Sequence, residues 1–163
     1  KPNKVTWLLW GIIPLIAFAA EIRQGVGIAS LMTFIVGFMP LLIFFSSFVN
    51  KNAQWKIRNL DIVCGLLTVI GLVLWYVTQN GVVAILFSIL SDACAALPTV
   101  IKSYYEPETE SSKAYFYTTI SAIITLLTIK TWDIAHFGFP LYTMLICSLI
   151  YVLVKFKLGK IVK

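Results

Sequence analysis

Long apolar blocks separated by short polar breaks run through the chain. The blocks are about 16–24 residues long, near the roughly 20 residues a helix needs to cross a ~30 Å hydrocarbon layer. They predict helices over Val5–Ile22, Val26–Val49, Leu60–Thr78, Val82–Tyr104, Ala114–Ile129 and Ile134–Phe156. The breaks carry turn chemistry: Gln24 and Gly25 after the first block, Gln79, Asn80 and Gly81 after the third, and Thr131, Trp132 and Asp133 between the last two. The fifth block is the shortest. The expected fold is an all-α membrane protein with six transmembrane helices and almost no soluble part.

Composition agrees. Of 163 residues, 60% are hydrophobic and 12% charged, with mean hydropathy +0.91, against roughly 25% charged in an ordinary soluble domain. Charge then sets an orientation. If the six helices cross in alternation, Lys1, Lys4, Lys51, Lys56, Arg58, Lys102, Lys113, Lys155, Lys157, Lys160 and Lys163 share one side, and only Arg23 and Lys130 fall on the other. The positive-inside rule makes the lysine-rich side, with the C-terminus, cytoplasmic, in a bacterial inner membrane or its equivalent. The net charge of +6 is then matched by anionic lipid headgroups, and no nucleic acid is expected as a partner. Trp7, Trp10, Trp55, Trp75, Trp132, Tyr104 and Tyr105 cluster near predicted helix ends, as in an aromatic belt. No charged leader with a cleavage site precedes the first block, so no signal peptide is expected. Cys64, Cys94 and Cys147 lie inside apolar blocks without CxxC or metal spacing and read as buried structural residues. No metal or other cofactor is expected.

A weak internal repeat organises these helices. KPNKVTWLLWGII at the start and TESSKAYFYTTIS after the fourth block align Trp7 with Tyr115 and Trp10 with Thr118, and each reaches a polar break, at Arg23 and at Thr131, after the same interval. The first two helices then correspond to the last two, and the third is a lone connector. On this reading residues 1–163 are one membrane domain, with an incomplete first repeat over 1–49, a linker helix over 60–78 and a second three-helix repeat over 82–158. A complete first repeat needs one more helix before Lys1.

In LSDACAALPTVIKSYYEPETES a proline near a helix end is followed by a lysine and a Pro/Glu/Ser loop that leads into an aromatic helix. This resembles the signature of PQ-loop proteins, the superfamily of the SWEET and SemiSWEET transporters. The resemblance implies a three-helix bundle repeated around a linker helix, with the first helix missing, and transport by alternating access. Pro98 is followed by Thr99 where the motif has Gln, and the second and sixth blocks hold no asparagine to match the pocket of sugar carriers.

The polar residues inside the blocks carry the candidate chemistry. Asp92 is the one carboxylate predicted near mid-span, where an ionised acid costs about 2.5–3.5 kcal/mol or more unless it faces the bundle or water. It reads either as a substrate-binding or proton-coupling group, or as a carboxylate that fixes helix packing. Ser88, Ser91, Ala95, Thr99 and Lys102 share its side of the helix by 3–4 spacing, and Thr118, Ser121, Thr125 and Thr128 repeat the pattern on the fifth block. These hydroxyls either line a pocket, together with aromatics such as Trp10 and Tyr117, or bond back to their own helix. Pro14, Pro40, Pro98 and Pro140 fall inside predicted helices as hinges or static kinks, with Pro98 the leading hinge because the resemblance puts it at the motif. Glu21 with Arg23, Asp133 with Lys130 and Asp61 near Arg58 read as interfacial ion pairs, His136 as an interfacial residue, and Glu106, Glu108 and Glu110 as a solvated loop.

Neither HExxH nor GxSxG occurs, so an enzyme is not the expected reading. The expected function is a carrier of a small neutral or cationic polar solute, with protons a candidate coupling ion. A membrane receptor or an assembly or trafficking subunit is the alternative, and a second copy of the chain is an open partner.

Overall fold

The computed structural model describes residues 4–49, 57 and 59–161. Lys1, Lys51, Trp55, Lys56, Arg58 and Lys163 lie outside the described residues. The chain forms α1 (Lys4–Arg23), α2 (Ser30–Ser46), α3 (Asn59–Thr78), α4 (Gly81–Tyr105), α5 (Ser112–Thr128), α6 (Ile134–Phe156) and a short α7 (Leu158–Ile161). Five of them, α1, α2 with its leading turn, α3, α4 and α6, are long and apolar enough to cross a membrane. The expectation of six falls short at α5. Its 17 residues make about 25 Å, less than a ~30 Å hydrocarbon layer.

The polar breaks end and start helices as their residues dictate. At the end of α1 the Val26 N–H donates to the Glu21 carbonyl at 3.1 Å and the Gly25 N–H to the Ile22 carbonyl at 3.0 Å. This closure needs a left-handed residue, supplied by Gly25 at φ +78°. A 3-10 turn over Gly27–Ala29 then delays α2 to Ser30, past the expected start at Val26. Asn80 caps α4 by accepting the Val82 N–H at 3.0 Å, and Asp133 caps α6 by accepting the His136 N–H at 3.0 Å. The His136 ring Nδ1 lies 2.7 Å from the same Asp133 oxygen. That ring contact, with the backbone bonds, holds the Asp133 carboxyl below the usual carboxylate range. His136, rather than the expected Lys130, is therefore its partner.

α1 packs on α2 and α4, α4 on α3 and α6, and α6 on α5. α2 and α5 touch only slightly, so α2, α1, α4, α6 and α5 close a ring, with α3 outside it on α4. Small residues make the close contacts: Ala20, Ala84 and Ala135 meet around Ile85, and Ala17 and Ala122 meet around Met32 and Phe139. In lipid, helices gain little from burying apolar surface against one another, so close backbone approach carries much of the association. It is close between α1 and α2, where a Cβ on Gly37 would sit 2.8 Å from the Gly11 carbonyl oxygen and 3.1 Å from the Leu15 nitrogen.

The outside of the bundle is apolar. Ile35, Phe38 and Phe45 of α2, Leu66, Val69 and Val73 of α3, and Ile124 and Leu127 of α5 are all exposed. In water such a surface is an association site, and in a bilayer it is the solvated face. Pro14, Pro40, Pro98 and Pro140 lie within α1, α2, α4 and α6, each of which runs unbroken across its proline.

Gly37→Leu should lower stability by about 1–3 kcal/mol through overpacking. A Cβ at Gly65 meets nothing within 4 Å, so Gly65→Ala should leave the thermal midpoint unchanged or slightly raised. Scanning fluorimetry of the detergent-solubilised variants checks both; an unshifted midpoint for Gly37→Leu would show that α1 and α2 do not cross there.

Candidate functional site

Asp92 lies near the middle of α4, and the hydroxyl of Tyr142 on α6 donates to its Oδ2 at 2.7 Å. This bond ties the two long helices together beside a cavity of about 120 Å³. α4 contributes Asp92 and Ala96 to the wall, and α6 contributes Tyr142, Thr143, Ile146, Cys147 and Ile150. Trp10 of α1, Val36 and Pro40 of α2, and Tyr115 and Thr118 of α5 complete it. All five ring helices therefore reach the cavity.

Its chemistry is sparse. Asp92 carries the one formal charge among these lining residues, and Tyr142 is its one hydrogen-bond partner among the described residues. Two further wall residues hold polar atoms without a partner. Thr143 is 3% exposed and its Oγ1 is unbonded, as is the buried Nε1 of Trp10. Leaving such groups dry and unpaired costs about 1–3 kcal/mol each, so the cavity suits an occupant that can hydrogen-bond.

The two ends of the cavity differ. Toward the lysine-rich end, the Tyr115 hydroxyl donates to Glu110 Oε2 at 3.0 Å, and Lys102 Nζ donates to Glu110 Oε1 at 2.9 Å. This chain joins the start of α5 to the end of α4, so Glu110 belongs to a bonded network rather than to a purely solvated loop. On the other side of Asp92, Ala17, Met32, Ala122 and Phe139 form an apolar layer with Ile89, Val36 and Met144 packed against it. Phe139 is fully buried, and its ring meets that of Tyr142 edge-on at 5.8 Å between centroids.

A second buried acid lies near the end of α1 away from the lysine-rich side. Glu21 is 1% exposed; its Oε1 accepts from Thr33 of α2 at 3.1 Å and its Oε2 has no partner. The expected pair with Arg23 does not form, because residues two apart point to different sides of a helix. Arg23 instead lies over the Trp75 ring at 5.1 Å.

The structure brings Asp92, Trp10, Thr118 and Pro40 together at the cavity. It does not bring in the rest of the expected set. Ser88 and Ser91 are buried in helix packing, Thr99 is half-buried away from the cavity, and Ser121 is exposed. Thr125 and Thr118 donate to the carbonyls of Ser121 and Ala114 at 2.9 and 3.0 Å, the local alternative open to helix hydroxyls. Pro14 and Pro140 are fully buried, and Pro98 lines a separate groove with Leu60, Leu97 and Ile101. Trp10 stands in the cavity wall. Cys147 also lines the cavity, where burial in a structural role was expected.

Tyr142, Thr143, Tyr115 and Glu110 are the residues that sequence reasoning missed. Tyr142 and Thr143 sit together in the sixth apolar block, and that pair of hydroxyls was the available signal. Comparison with protein-family models, with curated proteins and with solved structures returns no match.

A double-mutant cycle of Asp92→Asn and Tyr142→Phe should show a coupling of about 0.5–2 kcal/mol, the range for hydrogen bonds between membrane helices. Denaturant unfolding in micelles measures it, and additive effects would mean that the bond contributes nothing to holding α4 on α6.

Proposed function

We propose that this chain is a multi-pass membrane carrier of a small polar solute that works by alternating access, in the manner of the PQ-loop proteins it resembles. The observation that carries the reading is the cavity at Asp92: a charged, incompletely bonded pocket walled by five helices of an otherwise apolar bundle. Acids at such depth mark solute and proton paths more often than inert structure. The Tyr115–Glu110–Lys102 chain acts as a polar latch at one end, and the layer around Phe139 as an apolar plug at the other. The slight contact between α2 and α5 is where the ring parts at least cost. The outlying α3 takes the part of a linker between an α1–α2 unit and an α4–α5–α6 unit. No enzymatic activity belongs to this reading.

Orientation follows from charge. Among the described residues Lys4, Lys102, Lys113, Lys155 and Lys157 lie at one end of the bundle, and Arg23 and Lys130 at the other. The lysine-rich end, with the latch and the C-terminus, is then cytoplasmic.

Uptake of a panel of amines, amino acids and sugars into proteoliposomes tests the carrier. Asp92→Ala should reduce the flux of the transported solute at least about tenfold, while Leu127→Ala, 81% exposed on the outer face, should not change it. Saturable binding without flux of any solute would favour a receptor or assembly subunit. For orientation, Glu108→Cys should react with an impermeant maleimide only after the cells are permeabilised; labelling of intact cells would invert the topology.

A further inference from the structure

The carrier reading leaves the class of solute open, and the cavity wall narrows it. Asp92 faces a space with no lysine, arginine or histidine in its lining. The nearest cation along α4, Lys102, is bonded to Glu110. A carboxylate whose one protein partner is a tyrosine hydroxyl is stabilised by a positive charge in the cavity, because an unpaired charge away from water costs several kcal/mol.

The wall also says what kind of cation fits. A bare metal ion requires several oxygen ligands at fixed distances. Here three aromatic side chains, Trp10, Tyr115 and Tyr142, share the lining with aliphatic residues, and the described residues contain no group of three or more metal-binding side chains. Aromatic rings around one acid favour an alkylated ammonium, whose diffuse charge and C–H surface match ring faces and apolar walls. Trp10 lines the same cavity, and its buried Nε1, a donor only, has no partner in the protein, so an acceptor on the occupant would complete it.

We propose that the cavity binds a small organic ammonium that carries an oxygen acceptor, with Asp92 as counter-ion, Trp10, Tyr115 and Tyr142 as aromatic walls, and the Trp10 indole N–H as donor to the oxygen. This rests on the same cavity as the carrier reading, but it concerns equilibrium binding and needs no flux.

The test uses the purified full chain in detergent. Tritiated choline is bound to saturation and displaced either by unlabelled choline or by the uncharged alcohol in which a tert-butyl group replaces the trimethylammonium. Choline should bind saturably, and the neutral analogue at least about tenfold more weakly, the scale of a desolvated cation–aromatic contact. Asp92→Asn should erase that preference, while Trp10→Phe should weaken choline binding and keep the preference for charge. Equal affinity for the two molecules would mean that Asp92 acts only as a hydrogen-bonding group, and would overturn the proposal. So would the absence of saturable binding both by choline and by tetramethylammonium. If Asp92→Asn does not fold, the comparison on the unaltered chain still decides. Charge-selective binding without flux would sink the carrier alone, and flux of a neutral solute indifferent to choline would sink this inference alone.

Discussion

The bundle depends on the rule that hydrocarbon gives no help to a polar group and little to helix association. Every backbone amide must be satisfied within a helix, and every carboxylate must find a partner or a wet space. Close packing therefore falls to glycine and alanine, at Gly11 against Gly37 and around Ala17, Ala20, Ala84 and Ala122. Asp92 is left at the junction of α4 and α6, where tyrosine and the cavity receive it. The apolar outer face and the sparse polar interior are two results of one constraint.

Helix positions were largely legible in the sequence because the same constraint writes long apolar blocks and puts turn chemistry between them. Gly25, Asn80 and Asp133 mark real ends, each for a local reason of φ angle or capping. α5 was legible to within two residues at each end, but its 17 residues leave it out of the helices long enough to cross a membrane. Asp92 stood out because a mid-span acid is rare. Its partner did not, since Tyr142 is fifty positions away and nothing local distinguishes a tyrosine that faces an acid from one that faces lipid.

Other losses have equally specific causes. The hydroxyl stripe of α5 has the periodicity of a pocket wall, yet helix hydroxyls have a carbonyl one turn back always within reach, and Thr125 uses it. Glu21 and Arg23 looked like a pair by proximity along the chain, which on a helix separates residues two apart instead of joining them. Glu110 looked solvated because its partners, Lys102 and Tyr115, lie on either side of a turn. Cavities arise where several helices fail to fill a space together, and that is a property of the assembly rather than of any block.

The length of α5 has a consequence for the host membrane. At about 25 Å it is the short post in a ring where α1, α4 and α6 are longer and α2, of equal length, is extended by its leading turn. A bilayer of ~30 Å hydrocarbon thickness meets it only by thinning locally or by drawing headgroups inward, at fractions of a kcal/mol per Å of mismatch. The deformation falls on one side of the ring, beside the slight α2–α5 contact, so lipid strain and the separation of those helices share a coordinate. Acyl-chain length thereby enters the energetics of the bundle as a thermodynamic variable, in the same way as temperature or the concentration of a ligand.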